Sequence, residues 1–202
     1  MKRDWTKKTT RGAQRTLDAF TAAMLNALTG KSFEQITVNE LCESSNYPRA
    51  TFYNYFDDKY DLLHYMWYCL NRQIRLEQYQ ETAPEQRLFV LFDRAYDFID
   101  AHRDTLNRII KHNAKESFLL FHFRVQLSAR IRQMFDPNIC RYRDRIPHEI
   151  IADHYCNTVL LVLEWRFLHG NDGSKEDTLR YLEYLLGALN TKSLGANLTG
   201  FH

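Results

Sequence analysis

T-V-N-E-L-C-E-S-S-N-Y-P-R-A-T-F-Y-N-Y-F-D-D-K, residues 37 to 59, holds the starts of three helices and one tight turn. Thr37 and Glu40 form a T-x-x-E capping box, in which the threonine hydroxyl accepts from the third helical N–H and the glutamate reaches back to the cap's own N–H, so a helix is predicted from Val38. Ile36 and Leu41 have the spacing of a hydrophobic staple around that cap. Ser44, Ser45 and Asn46 compete for backbone hydrogen bonds and favour a turn, and Asn46 tolerates the left-handed conformation that a tight helix-to-helix connection needs. Pro48 suits the first turn of a second helix, which reaches to about Phe56, because Asp58 with Asp61 caps a third helix at Lys59.

A helix, a turn of about four residues and a second short helix is the helix-turn-helix arrangement, whose second helix enters the major groove of DNA. On that second helix Phe52 and Phe56, four apart, anchor one face inward, and Arg49, Ala50, Thr51, Tyr53, Asn54 and Tyr55 occupy the rest. An ordinary helical hairpin with a solvated face is the plain alternative for such a pattern.

From about Gly12 to Leu63 the chain resembles the DNA-binding domain of the TetR/AcrR family of transcriptional regulators. The resemblance rests on an amphipathic first helix ending at Gly30, the Ile36-Thr37-Val38 entry, Leu41, and above all T-F-Y-N-Y-F-D-D-K-Y-D-L-L from Thr51 to Leu63. The chain departs from that family's pattern with Cys42 and Ser45 in place of small alanines, Asn46 in place of glycine and Pro48 in place of a polar residue.

At 202 residues, 45% apolar and 14% aromatic, the chain has enough material for a sizeable core. Its net charge is only +2, but Lys2, Arg3, Lys7, Lys8, Arg11 and Arg15 precede the helix-turn-helix with Asp4 alone against them, which reads as a basic arm; a solubilising tail is the alternative. No apolar run approaches a membrane span and no secretory h-region is present. Cys42, Cys69, Cys140 and Cys156 form no C-x-x-C pair, which suits reduced thiols in a cytoplasm.

Beyond Leu63 the apolar spacing is helical and no alternating strand pattern occurs, so the predicted fold is all-α. Residues 1–63 are expected to form the arm and the three-helix DNA-binding domain, and residues 64–202 a helical ligand-binding and dimerisation domain. Leu88, Leu91, Phe92, Ala95 and Phe98 fall on one face of a helix opened by Pro84. A helix from about Ala114 to Phe135, stopped by Pro137, places Phe118, Phe121, Val125 and Ile131 broadly on one side; residues 136–145 form the longest expected loop. Ile150 to Leu168 contains Thr158-Val159-Leu160-Leu161-Val162-Leu163, apolar all round, and such a helix needs cover on every side. Ser174 with Asp177 caps a last helix carrying Leu179, Leu182, Leu185, Leu186 and Leu189. Two such helices from each of two subunits would make an intersubunit four-helix bundle, as the family resemblance also implies.

The resemblance further implies a mostly apolar effector cavity, for which Trp67, Tyr96, Phe118 and Phe121 are the candidate lining residues. His148 and His154 are six apart, off the i, i+4 pairing of a helical metal site, and no H-E-x-x-H, G-x-S-x-G or Walker loop occurs, so neither a metal, a cofactor nor an enzyme is expected. The leading expectation is a homodimeric, ligand-responsive repressor on a palindromic operator. Thr37, Tyr53, Tyr55 and Lys59 would hold phosphates, while Arg49, Ala50, Thr51 and Asn54, with Asn39, would meet base edges. The alternatives are a helical enzyme or small-molecule carrier without DNA binding, and an interaction protein whose basic arm meets an acidic partner.

Overall fold

The structure, a computed structural model, describes residues 9–75, 82–83, 86–113, 117–134, 147–169 and 171–187. Its regular elements are α1 (Arg11–Leu28), a 3-10 turn (Phe33–Gln35), α2 (Val38–Ser45), α3 (Arg49–Tyr53), α4 (Lys59–Gln73), α5 (Arg87–Ala101), α6 (Arg103–His112), α7 (Phe118–Met134), α8 (His148–Phe167) and α9 (Lys175–Gly187). Among the described residues no helix is long and apolar enough to cross a membrane. The chain divides into two compact units, one of residues 1–77 with 102–126, the other of residues 78–101 with 127–202. The first unit therefore takes in α4, α6 and the opening of α7 besides the three helices expected to bind DNA.

In the first unit, α1 opens on Thr10, whose hydroxyl accepts from the Ala13 N–H, and turns Leu17, Phe20, Met24 and Leu28 inward. Phe20 meets the Phe52 ring edge-on at 5.2 Å and the Phe56 ring at 6.1 Å, and the latter two stand 5.4 Å apart. These three rings fix α3 against α1. Leu41, Leu62 and Ile36 close the same core, with Ile36 and Leu41 both buried as the staple requires.

The turn between α2 and α3 follows the chemistry of Asn46. Its backbone is left-handed, at φ 57° and ψ 38°. The Tyr47 N–H reaches back to the Cys42 carbonyl and the Asn46 N–H to that of Glu43, the paired bonds of a Schellman ending. Pro48 sits one position earlier than its spacing suggests. It is the N-cap, with ψ 154°, and its carbonyl receives the first helical N–H groups, from Thr51 and Phe52. Helix α3 is also shorter than expected: it ends at Tyr53, and Phe56 enters the core from the following turn.

The second unit packs α5, the later part of α7, α8 and α9. Leu91, Phe92, Leu127, Ile131, Leu160 and Leu182 are buried in it. Arg166, also buried, is satisfied by donating from Nε to the Tyr96 hydroxyl at 3.2 Å and from a terminal nitrogen to the Asn171 carbonyl at 3.0 Å. Lys175 at the start of α9 bridges Asp93 and Asp97 of α5. The predicted cap holds: the Asp177 N–H donates to Ser174 Oγ at 3.0 Å.

Three features depart from the sequence pattern. Helix α6 has no counterpart in it, although Leu106, Ile109 and Ile110 carry helical spacing. On α7 the expected single face splits, because Ile131 is fully buried while Phe118, Phe121 and Val125 are exposed. In the all-apolar run of α8, Val159, Leu160, Val162 and Leu163 are covered within the chain and Leu161 alone points outward, at 57% exposure. Lys2, Arg3, Lys7, Lys8, Pro84, Pro137, Cys140, Leu189 and the Arg141–Arg145 stretch lie outside the described residues.

A left-handed residue without glycine's freedom or asparagine's local hydrogen bonding costs about 1 kcal/mol or more. Asn46→Ala should therefore lower the denaturant-unfolding stability by about that amount while Asn46→Gly leaves it nearly unchanged. Equal losses for the two would show that the turn does not depend on the left-handed conformation.

Candidate nucleic-acid interface

The capping box is complete. The Glu40 N–H donates to Thr37 Oγ1 at 3.3 Å, and both the Thr37 N–H and the Thr37 hydroxyl donate to Glu40 Oε2, at 2.9 and 3.0 Å. Glu40 is held from the other side by the Lys31 ammonium. That contact, followed by the two donors of Thr37, holds the Glu40 carboxyl down at about 2. Thr37 thus spends its donors on the start of α2 and orients the helix.

Beyond this cap, α2 and α3 present an outward face. Asn39, Arg49, Ala50, Tyr53 and Asn54 are exposed, Thr51 and Tyr55 are half-buried, and Phe52 and Phe56 point the other way into the core. The Arg49 guanidinium lies 5.8 Å from the centre of the Tyr53 ring and donates to its hydroxyl at 3.4 Å, which extends the arginine along α3 and leaves its remaining donors outward. Between the helices an open cleft is lined by Asn39, Glu43, Asn46, Tyr47 and Arg49. Glu43 and Tyr47 were not picked out by sequence pattern; their position beside the turn is the signal that could have found them. Arg11 and Arg15, the described part of the basic arm, are exposed on α1.

Lys59 stands at the start of α4 with its ammonium on backbone carbonyls. Its ammonium donates to the carbonyls of Phe33, Glu34 and Ile36, each at 2.9 Å, and stands 4.8 Å from the Phe33 ring. An ammonium has three donors, so all are committed. Burial lowers the Lys59 pKa, against the pull of Glu34, Asp58 and Glu40. The start of α4 is also acidic: Asp58 Oδ1 accepts from the Tyr60 and Asp61 N–H groups, and Asp61 accepts from that of Asp57.

The four candidate lining aromatics fall in different surroundings. Trp67 meets Phe123 edge-on at 5.4 Å, Phe118 stacks on Phe33 at 5.5 Å, and Phe121 is 61% exposed, all in the first unit. Tyr96 is buried in the second unit, 5.0 Å from Phe167.

A family model for bacterial regulatory proteins of the tetR family matches residues 21–66, the span that holds the end of α1, the helix-turn-helix and the start of α4. Residues 21–66 form a domain of the tetR family. The chain's fold is shared with two crystal structures described as TetR-family transcriptional regulators. One, from Streptococcus agalactiae 2603V, is 20% identical with a TM-score of 0.61, covering 87% of this chain and 96% of its own. The other, from Syntrophomonas wolfei str. Goettingen, is 19% identical with a TM-score of 0.66, covering 90% of this chain and 98% of its own. A search of the curated proteins gives no match. In this tetR-family domain the helix-turn-helix is the DNA-binding motif, and transcription regulation is the function that motif serves.

The depressed Glu40 carboxyl has a pH consequence. A carboxyl held at about 2 in the folded chain against an ordinary 4.5 contributes stability above pH 4.5 that is lost as pH falls toward 2. Stability of the wild type should decline more steeply through that window than stability of Glu40→Gln, which has no charge to lose. Parallel pH profiles of denaturant unfolding for the two proteins would show that the Lys31–Glu40–Thr37 contacts contribute nothing.

Proposed function

We propose that this chain is a ligand-responsive repressor that binds a palindromic operator as a homodimer in the cytoplasm, with a largely apolar small molecule as effector. One observation carries the DNA-reading part: Arg49 and Ala50 on the short helix α3, with Asn54 at its C-cap, stand outward while Phe52 and Phe56 lock the opposite side. A guanidinium there can make a bidentate contact to guanine, an asparagine can do the same to adenine, and the methyls of Ala50 and Thr51 match a thymine methyl. Asn39 reaches the same face from α2. Tyr53 and Tyr55 supply hydroxyls for phosphates, and these set register without reading sequence.

Dimerisation is supported by the outward side of α8 and α9, where Leu161, Ile150, Tyr181, Leu185 and Tyr184 are exposed, the last at 81%. A second copy presenting the same residues would cover them by two-fold symmetry, and two-fold protein symmetry imposes a two-fold operator. One α3 of five residues spans too few base pairs for useful specificity by itself. The apolar effector is supported by the aromatic content of the helices beyond the reading head. Trp67, Phe118 and Phe121, all in the first unit, are the residues proposed to meet it.

Two variants test this reading. Leu161→Asp places an unpaired charge in the proposed interface, at a cost of about 3–5 kcal/mol, and sedimentation should show monomers at concentrations where the wild type is dimeric. A dimeric Leu161→Asp with normal DNA binding would move the interface elsewhere. Arg49→Ala should cost about 1–3 kcal/mol on the operator while leaving affinity for random duplex almost untouched, since the loss is a base contact. Equal losses on the two DNAs, with a flattened salt dependence, would make Arg49 a phosphate contact and leave Thr51 and Asn54 as the readers.

A further inference from the structure

Helix α4 meets the start of α7 through a ladder of rings. Tyr60 stands edge-on to Phe118 at 4.9 Å, His64 stacks on His122 at 4.7 Å with 29° between the planes, and Trp67 meets Phe123 edge-on at 5.4 Å. Residues 60, 64 and 67 have the i, i+4, i+7 spacing of a single helical stripe, so one side of α4 supplies all three rungs. All six residues lie in the first compact unit. The middle rung is the one whose charge can change near neutral pH.

The two imidazoles differ in access. His64 is exposed, whereas the His122 ring also stacks on Phe118 at 5.7 Å, and its Nε2 is buried with no hydrogen-bonding partner among the described residues. A buried nitrogen without an acceptor favours the neutral ring, because a proton placed there adds a charge that nothing receives. Burial first, and His64 second, hold the His122 pKa below the ordinary 6.5. The other titratable and charged groups along this seam are Tyr60 and Asp61 on α4, Lys59 at its start, Glu34 from the 3-10 turn and Arg124 on α7 itself. Glu34 is occupied by the Phe118 N–H and Asp61 by that of Asp57, and the neighbouring charge that acts on His122 is that of His64.

The residue after His64 ties α4 to the reading face. Tyr65, 4% exposed, packs its ring 5.8 Å from that of Phe56, which with Phe20 and Phe52 holds α3 in place. Leu62 and Leu63 are buried in the same core. The side of α4 against α7 and the side against the α3 core therefore belong to one continuous helix, and displacing the first displaces the second.

We propose that His64 and His122 form a proton-operated latch: neutral, they stack and keep α4 seated against α7; protonated, they part, α4 shifts with Tyr65, the hold of Phe56 on α3 loosens, and DNA binding weakens in mild acid. The inference rests on the DNA-reading role of α2 and α3 proposed above. Two protonated rings 4.7 Å apart repel, and one proton on His122 alone strands a charge on a buried atom. Because the folded seam favours a neutral His122, the closed arrangement is fully stable above the ordinary 6.5 and loses stability as pH falls below it.

The test uses the full chain, a duplex recovered by selection from random DNA, and constant salt. As pH falls from about 7.5 to about 5.5, wild-type affinity should drop by about 5- to 150-fold, the usual range for coupled sites. His122→Phe keeps an aromatic rung that takes no proton, and its affinity should stay nearly constant over the same span. An equal drop in the two proteins, or no drop in the wild type, would overturn the latch. Should His122→Phe fail to fold, nuclear magnetic resonance on the wild type decides. Without DNA, cross-relaxation between the His64 and His122 ring protons should be present with neutral rings and lost once they are protonated; its persistence would show that the rings do not part. Bound duplex should lower the pH at which the His122 ring takes its proton, since coupling between two sites is reciprocal, and an unchanged midpoint would refute the link to DNA. A wild type that binds no duplex at either pH would remove the DNA-reading role itself, a failure told apart from that of the latch by the DNA-free cross-relaxation.

Discussion

The burial of Phe52 and Phe56 against Phe20 is the constraint on which the reading surface depends. Helix α3 is five residues long, far below the length at which an isolated helix persists in water. It carries no side-chain cap at its start. Its shape therefore comes from packing: three aromatic rings within 5.2 to 6.1 Å of one another hold one side, and the polar residues are displayed by default on the other. Edge-to-face pairs of this kind contribute about 0.5–1.5 kcal/mol each beyond the area they bury. The same burial explains why the chain after Tyr53 can leave helical geometry without releasing α3, since Phe56 re-enters the core from the turn.

Electrostatics refine this picture more than they build it. Around the reading face three carboxylates are occupied in capping: Glu40 on Thr37 and Lys31, Asp58 on the first amides of α4, Asp61 on Asp57. Capping carboxylates at helix starts satisfy N–H groups that would otherwise attract anions, so in the proposed reading the phosphates fall to the tyrosine hydroxyls and the basic residues of α1, and Arg49 is left for a base edge. The net charge of +2 understates the polarity of this surface because Glu40, Asp58 and Asp61 are engaged in capping while Arg11, Arg15 and Arg49 are outward.

What the sequence made legible was local. The capping boxes at Thr37 and Ser174, the Asp58 cap and the left-handed Asn46 all depend on residues within a few positions of each other, and spacing alone identifies them. The helices of the second unit were visible in the same way, through apolar periods of three and four. What escaped was set by distance in sequence. Nothing in the spacing around Lys59 says that its ammonium will meet carbonyls 23 to 26 residues earlier, nor that Asn113 will find the Phe33 N–H 80 residues away. Helix α6 was missed because it is short and only half-buried. The sidedness of α7 was not legible because its start belongs to the first compact unit and its end to the second, and spacing alone does not mark where one core gives way to another. The outward Leu161 had the opposite cause: an apolar run reads as buried all round, and only the packing of its neighbours shows which residue is left over.

The central claim is that the α2–α3 face reads duplex DNA as one half of a two-fold assembly. Selection of bound fragments from a random-sequence duplex library by the purified protein tests it most directly. The account predicts enrichment of a motif with two-fold-related half-sites spaced by about one helical turn or a multiple of it, bound with affinity that falls as salt rises. Recovery of fragments with no shared sequence, or of a single asymmetric site bound by one copy, would contradict it.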